Sequence, residues 1–216
     1  MGMSFRLPVA LQDPEDDGPG LEFLRKYYEQ RPGTPLGTFY TGARFDGWDS
    51  LGTRASDADR FTADDLAAVT FLGIQVPPKA AWRLLSGDPR HFSELLAQIE
   101  DRELAETNPS DIRDDWPAWQ LWERLRDLPG VDWVIAGKLL ARKRPHLIPV
   151  YDRVVKTVTG SDPHYWKSLC AALREKDGGL QKRLLQLKTA AALPACVTPL
   201  RVFDVIAWME GKAQGL

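Results

Sequence analysis

The sequence predicts a mainly α-helical fold, and three observations lead to that prediction. After residue 60, apolar residues recur every three or four positions, which is the spacing of one face of a helix. Proline and capping residues stand where these segments begin. The alternating pattern of half-buried strands is scarce. We expect an irregular N-terminal segment, residues 1–60, to pack on a helical domain formed by residues 61–216.

Length and composition exclude several classes of protein. Among the 216 residues, 44% are hydrophobic and 27% are charged, which is a globular rather than a disordered composition. The length suits one domain, or two small lobes around one cleft. No apolar run approaches the roughly 20 residues that cross a bilayer, and the N-terminus lacks the apolar stretch of a secretion signal. We therefore expect a cytoplasmic protein that does not contact a membrane.

Candidate ligands for a metal or a cluster are few. The two cysteines, Cys170 and Cys196, do not suffice for a disulfide framework or for a cysteine-held cluster. The three histidines lie far apart in the sequence, so we expect no metal and no cofactor. The net charge of −2 argues against a wholly basic surface, although it leaves room for a local basic patch.

The N-terminal segment contains one helix candidate and one Gly-rich stretch. Leu21–Gln30 is predicted to form a short helix that ends at the Pro-Gly break of residues 31–33. Thr34–Leu51 is too rich in glycine for a helix, and it could hold a short strand or hairpin.

Each helix predicted between residues 62 and 128 has a recognisable start or apolar stripe. Thr62-Ala-Asp-Asp65 has the spacing of a capping box with Asp in place of Glu. Pro77-Pro78 suits the first turn of the next helix. Apolar stripes then cover Phe92–Ile99 and, after the break at Asn108-Pro109, Trp116–Leu128.

The helical pattern continues to the C-terminal region. The predicted helices are Asp132–Lys143, Asp152–Thr159, Pro163–Lys176, Leu180–Ala192 and Pro199–Trp208. A Pro-rich loop separates the first two of them.

Residues 121–160 carry the strongest indication of function. A turn at Leu128-Pro129-Gly130-Val131 joins two predicted helices, and an aspartate opens a third helix after the Pro-rich loop. Gly130 removes the side chain that would block an anion from the free N–H groups at the start of the second helix. A phosphate of a nucleic-acid backbone could bind there, at Pro129, Gly130 and Val131.

Positive charge is concentrated in the same segment. Between positions 138 and 156 the one acidic residue is Asp152, and six residues are basic. The basic residues are Lys138, Arg142, Lys143, Arg144, Arg153 and Lys156. Neutralising phosphates with these side chains would give binding that weakens as salt rises.

The segment resembles the helix-hairpin-helix superfamily of DNA base-excision glycosylases, in which an LPGxG hairpin precedes a Gly/Pro-rich loop and an essential aspartate. Leu128-Pro129-Gly130-Val131 is similar to the hairpin and Pro145–Val150 to the loop. Asp152 stands 22 positions after Gly130, as in the superfamily. The similarity covers about forty of the 216 residues. As a whole, the chain also resembles a bacterial family of unknown function.

The resemblance implies a helix-hairpin-helix DNA glycosylase fold with two helical lobes around a cleft, double-stranded DNA as the partner, and Asp152 as the catalytic residue. Breaking an N-glycosidic bond builds positive charge on the sugar, which a carboxylate stabilises while it orients or deprotonates the attacking water. Members that also cut the backbone have a lysine at the position of Val134. The resemblance therefore implies a monofunctional enzyme that removes a damaged or modified base.

A base that leaves the duplex stack needs a pocket with aromatic walls. The candidate pocket residues are Tyr40, Arg44, Asp46, Trp48, Trp133 and Tyr151. The first four belong to the Gly-rich stretch, and the last two flank the Pro-rich loop region of the motif.

Other interpretations stay open. Asp152 could act only as a helix cap, the Pro-Gly turn could simply join two helices, and Arg142–Arg144 could form a solvated helix end. Asp132 replaces the second hairpin glycine and puts an acid where a phosphate would approach. That departure favours a non-catalytic protein of the same fold that binds nucleic acid or a partner. A further alternative is an enzyme that acts on a nucleoside-like small molecule.

Overall fold

A computed structural model describes residues 5–28, 40–100, 102–160 and 163–216, and these ranges are mainly helical without a β-strand. The α-helices are α1 (Gly18–Tyr28), α2 (Ala63–Thr70), α3 (Pro78–Trp82), α4 (Pro89–Leu96), α5 (Pro117–Arg126), α6 (Trp133–Lys143), α7 (Arg153–Thr159), α8 (Tyr165–Ala190) and α9 (Pro199–Ala213). Short 3₁₀ turns cover Val9–Leu11, Thr41–Arg44, Leu104–Glu106 and Pro109–Asp111, and a π-helical turn, Arg83–Gly87, follows α3. The predicted mainly α fold class is confirmed for this part of the chain.

Local capping chemistry sets where the helices begin. The predicted capping box forms at α2, where the Asp65 carboxylate accepts from the N–H of Thr62 at 2.9 Å and the Thr62 hydroxyl accepts from the N–H of Asp65 at 3.3 Å. Proline occupies the first turn of α3, α4, α5 and α9. These positions carry backbone N–H groups without a helical acceptor, so a proline there loses nothing.

The two helices predicted over Pro163–Lys176 and Leu180–Ala192 appear as α8, which is interrupted. Its backbone leaves helical geometry at Glu175–Gly178, and Lys176 and Asp177 have φ of 50° and 56°. Gly178, at φ 76°, completes this left-handed link between the two helical parts. The sequence therefore predicts both parts, with the break close to its observed position.

Helices α6 and α9 are the centres of two packed groups. α1, α7 and α8 contact α9, whereas α2 and α5 contact α6. Most of α9 is buried, because the segment PLRVFDVIAWM is apolar on nearly every face. The predicted domain boundary at residue 60 stays a prediction.

The end of α6 and the residue after it place three cations inside the protein. This cation cluster consists of Arg142, Lys143 and Arg144, which are 1%, 7% and 4% exposed. Arg142 Nε and Lys143 Nζ lie 3.1 and 2.9 Å from the two carboxylate oxygens of Asp65. Arg144 pairs with Asp59. The cation cluster thereby bonds α6 to α2 and to the loop before α2.

The short strand or hairpin predicted in Thr34–Leu51 is absent from the described residues 40–51, and residues 34–39 lie outside the described part. Instead, donors of the cation cluster bind carbonyl oxygens of this segment and of the loop that follows it. The accepting carbonyls belong to Phe45, Trp48, Asp57 and Ala58. A guanidinium offers five donors, so it can satisfy carbonyls that have no strand partner.

Replacing Asp65 with asparagine should destabilise the fold strongly. The variant keeps the shape of the side chain but leaves Arg142 and Lys143 buried without their shared counter-charge, which costs about 3–5 kcal/mol. Urea unfolding followed by circular dichroism would show a lower midpoint. As a control, Asp115→Asn removes one partner of the exposed pair with Arg113 and should leave the midpoint nearly unchanged. Equal midpoints for the two variants would contradict the prediction.

Candidate active site

Asp152 occupies the N-cap of α7, and its carboxylate is held from two sides. Oδ1 accepts hydrogen bonds from the backbone N–H groups of Val154 and Val155, at 3.0 and 3.1 Å. Oδ2 lies 3.4 Å from Nζ of Lys138, and the Asp152 side chain remains 16% exposed. Two amides and an ammonium therefore fix the orientation of a carboxylate that is still accessible. Capping and a role in ligand binding are compatible at this residue.

Lys138 reaches Asp152 from α6 and is almost completely buried. Its side chain is 4% exposed, and Nζ also donates to the carbonyl oxygen of Leu72 at 2.9 Å. Burial lowers the pKa of Lys138, while the attraction of Asp152 opposes that shift. Lys138 therefore positions the Asp152 carboxylate.

Asp152 and Lys138 lie on the wall of a cavity of about 190 Å³, here called the Asp152 cavity. Residues of α7 and α9 form one part of its wall, and the turn after α2 and the 3₁₀ turn Thr41–Arg44 form another. The side chains that define its chemistry belong to Tyr27, Tyr40, Lys138, Asp152, Asp204 and Trp208. The cavity thus lies where the α6 group meets the α9 group.

Three rings form the aromatic side of the Asp152 cavity. Tyr27 and Tyr40 stack with centroids 5.4 Å apart and ring planes inclined by 8°. Trp208 meets them nearly at right angles, with centroid distances of 5.9 Å to Tyr27 and 5.5 Å to Tyr40. Such a set of ring faces and edges suits a flat aromatic ligand.

A buried polar network beneath the cavity is centred on Arg201. Its guanidinium lies 3.1 Å from the Asp46 carboxylate and 2.5 Å from the Asp204 carboxylate. It also donates to the hydroxyl of Tyr27 at 2.7 Å and to the carbonyl of Gly42 at 3.1 Å. One cation therefore serves two carboxyl groups and fixes one ring of the aromatic side.

Asp204 presents an unused oxygen in this network. Its Oδ2 is buried and has no hydrogen-bond partner among the described residues. An orphaned buried oxygen is uncommon, and in a cavity wall it is a place where a ligand can donate or accept. Burial raises the pKa of Asp204 to about 8, although Arg201 opposes the shift. The carboxyl group therefore retains a proton near neutral pH.

The six basic residues predicted to bind nucleic acid do not form one surface. Lys138 and the three residues of the cation cluster are buried, each with a partner inside the protein. The positions of charged residues in a sequence do not show which distant groups they pair with. The sequence alone therefore predicts these side chains at the surface. Arg153 is exposed and Lys156 is half-buried. In this structure those two remain accessible to a phosphate.

A turn connects α5 and α6 at residues 128–131, where the sequence predicts one. Pro129 and Gly130 are exposed, and Val131 is buried. Gly130 has φ of 79°, in the left-handed region that glycine favours, and a Cβ there would come within 3.0 Å of Pro77. The turn geometry alone therefore requires glycine at this position.

The helix start behind the turn is capped by Asp132. Its Oδ1 accepts from the N–H groups of Val134 and Ile135, at 3.0 and 2.9 Å, and its Oδ2 lies 3.6 Å from Arg153. These are the amide groups that a bound phosphate would use. The amides at the start of α6 are therefore satisfied by Asp132 within the protein itself.

The predicted pocket residues of the Gly-rich stretch take different positions. Tyr40 lines the Asp152 cavity, and Asp46 lies beneath it in the Arg201 network. Arg44 is exposed, and Trp48 packs against Phe71 with ring centroids 5.2 Å apart. Of the four pocket residues predicted in this stretch, only Tyr40 lines the Asp152 cavity.

Trp133 and Tyr151 line a different cavity. Tyr151 stands between Val150 and Asp152, both of which line the Asp152 cavity. Successive side chains of an extended segment point to opposite sides, so Tyr151 faces away from its neighbours. The set of aromatic residues predicted as one pocket is thus divided between two.

Sequence reasoning missed four residues of the site: Tyr27, Arg201, Asp204 and Trp208. A signal for two of them exists in α9. Arg201 and Asp204 are three positions apart, on one face of a segment that is otherwise nearly all apolar. Charged residues in such a buried helix require partners, and they indicate a buried polar site. Tyr27 and Trp208 carry no comparable signal.

The described ranges contain neither a metal-binding cluster nor a membrane-spanning helix. Across residues 5–28, 40–100, 102–160 and 163–216, no group of three or more His, Cys, Asp or Glu side chains could hold a metal ion. In the same ranges, no helix combines the length and the apolar character needed to cross a membrane.

The free energy of unfolding should fall between about pH 4 and pH 8 because of Asp204. Its pKa rises from an ordinary value of 3.8 to about 8 in the folded chain. Between these values the folded state binds more protons than the unfolded state, so each rise in pH lowers stability. Asp204→Asn, which resembles the protonated group, should flatten this part of the profile. Urea unfolding at pH 5 and pH 8 measures the effect, and parallel profiles for the two proteins would contradict it.

Comparison with known proteins assigns a family without an activity. Searches of curated proteins and of solved structures each found no match, and nothing links the chain to the helix-hairpin-helix glycosylases. A family model described as "Family of unknown function (DUF6308)" matches residues 20–211. Because that range covers most of the 216 residues, the chain belongs to the DUF6308 family of unknown function.

Proposed function

We propose that the chain is a monofunctional N-glycosyl hydrolase that removes a damaged or modified base from DNA, with Asp152 facing the sugar. The observation that supports this proposal is the position of Asp152. Its carboxylate is held by two amides and Lys138 on the wall of a cavity whose other side is formed by stacked aromatic rings. Aromatic rings are the surfaces on which an extruded base stacks, and the carboxylate suits the positive charge that develops on the sugar of that base.

In the proposed reaction, the C1′–N bond breaks and a C1′–O bond to water forms. Asp204 gives its proton to the departing base nitrogen, and Asp152 stabilises the oxocarbenium-like charge. Asp152 then accepts one proton of the water whose oxygen bonds to C1′. The products are a free base and an abasic sugar. The proton on Asp152 leaves to solvent, and Asp204 regains a proton from solvent.

The assignment of roles follows from the two environments. Asp152 is surrounded by donors, so it suits an acceptor of positive charge and protons. Asp204 is buried with one unused oxygen, so it suits a donor. Lys138 touches both Asp152 and a backbone carbonyl and positions the carboxylate, with no covalent role in the scheme.

Asp152→Asn should lower the rate of base release by about a hundredfold or more, because it removes the negative charge opposite the sugar while an amide oxygen can still cap α7. Duplexes with single modified bases, followed by cleavage at abasic sites, measure the rate. Asp132→Asn is the matched control, since Asp132 makes the same two cap bonds at α6. Its rate should stay close to that of the unaltered chain. Equal rates for the two variants would contradict the role of Asp152.

A second candidate function is hydrolysis of a free nucleoside or a similar small molecule. Burial of Lys138 and the cation cluster, together with the capped hairpin amides, supports it. A small ligand has no polymer backbone, so it does not require these side chains and amides to bind backbone phosphates. The same two carboxyl groups would perform the reaction in the Asp152 cavity.

Binding of duplex DNA should depend only weakly on salt. With Arg153 and Lys156 as the accessible cations of the predicted six, the slope of log K against log salt should be near −2, instead of about −5 for all six. Mobility shifts at several salt concentrations measure this slope.

Two variants test which cations contribute to the slope. Arg153→Gln should reduce the slope by about one. Arg124→Gln, which alters an exposed residue of α5, should leave the slope unchanged. A slope near −5 would contradict this prediction, and base release from nucleosides without duplex binding would favour the second candidate.

A further inference from the structure

A second cavity, of about 240 Å³, lies beside the Asp152 cavity and has no role in the proposed reaction. We call it the tryptophan cavity. Its aromatic lining consists of Trp119, Trp122, Trp133, Tyr151, Tyr165 and Trp166. The segment Val150–Asp152 separates the two cavities, because Tyr151 lines this one while its two neighbours line the other.

The rings of the tryptophan cavity are arranged in two sets. Trp119, Trp122 and Trp166 are mutual neighbours, with centroid distances between 4.9 and 6.1 Å. Across from them, Tyr151 stacks on Tyr165 at 3.8 Å and contacts Trp133 at 5.4 Å. Trp119, Trp122 and Trp133 are only half-buried. These three indoles therefore keep accessible surface, whereas rings that only fill a core are covered.

A glycine of α6, Gly137, leaves unfilled space in the wall of the tryptophan cavity. Gly137 lies inside α6, where glycine is less favourable than alanine by about 1 kcal/mol. The nearest atom to a Cβ built there is Nε1 of Trp122, at 3.9 Å, so a methyl group would fit without displacing anything. The sequence thus leaves empty a space that a packed core would fill.

Lys156 is the charged residue in the described lining of the tryptophan cavity. Nζ of Lys156 lies 5.4 Å from the centre of the Trp133 ring, and Lys156 lines the cavity. Among the described residues, Lys156 takes part in no ion pair, and none of the residues that line the cavity is acidic. Arg126 lies over the ring of Trp122, 4.5 Å from its centre, but it pairs with Glu123 at 3.3 Å, so Lys156 is the cation of the cavity that remains without a counter-charge in the described part of the chain. A ligand with a negative group next to its ring would complement Lys156, and a cationic ligand would be repelled.

We propose that the tryptophan cavity binds an aromatic base that carries a phosphate, with the base between the indole rings and the phosphate at Lys156. This chemistry occurs both in a free nucleotide and in a single-stranded nucleic acid. The inference goes beyond the proposed function, because it concerns a cavity that does not contain Asp152. It also gives Trp133 and Tyr151 a role apart from the reaction.

The test is a calorimetric titration with adenosine monophosphate, adenosine and inorganic phosphate. Adenosine monophosphate should bind most tightly, adenosine about tenfold more weakly, and phosphate without measurable affinity. Gly137→Leu fills the cavity and should abolish binding of the nucleotide. Lys156→Gln should reduce the affinity for the nucleotide to that for adenosine and leave adenosine binding unchanged. Urea unfolding verifies that each variant is folded. If Gly137→Leu is not folded, the result for Lys156→Gln alone decides the test.

Asp152→Asn separates this inference from the proposed function. It should lower base release by about a hundredfold or more and leave binding of adenosine monophosphate unchanged. Loss of nucleotide binding in Asp152→Asn, or unchanged binding in both Gly137→Leu and Lys156→Gln, would overturn the inference, as would no binding at all. A titration with a short single-stranded oligonucleotide distinguishes the sources. If the oligonucleotide binds at least tenfold more tightly than the mononucleotide, and Gly137→Leu loses this binding, the ligand is a single strand. If the oligonucleotide and the mononucleotide bind with equal affinity, the ligand is the free nucleotide.

Discussion

The arrangement of the chain depends on the inward-facing charges of α6. A buried cation without a counter-charge is costly, so the helix is stable only where each of its cations meets an acceptor. Lys138 meets Asp152, and the cation cluster meets Asp65, Asp59 and the loop carbonyls. Because these partners lie on different elements, the same requirement that positions α6 also positions the carboxylate of the candidate site.

Helix α6 also relates the two cavities to each other. Lys138 lines the Asp152 cavity, and its neighbour Gly137 lines the tryptophan cavity. Adjacent residues of a helix point in directions about 100° apart, so one rigid element serves two sites on different faces. Any displacement of α6 would therefore change both cavities together.

Features that depend on local sequence were predictable, and those that depend on distant partners were not. The Thr62 capping box, the prolines that open helices and the break near Gly178 all act within a few residues, and the structure has each of them. In contrast, Arg142 meets Asp65 across 77 positions, which no periodicity encodes. The network of Arg201 and Asp204 joins α9 to the N-terminal part. The resemblance pointed to Asp152 as a candidate, but the burial of its basic neighbours and the division of the aromatic residues between two cavities could be seen only in the fold.

Asp132 gives the hairpin a property that a glycine there would not. A carboxylate tethered to the amides that it binds acts as an intramolecular competitor, with an effective concentration of the order of millimolar or higher. The amides at the start of α6 are therefore already occupied, and an anion from solution would have to compete with a carboxylate that the chain itself holds in place.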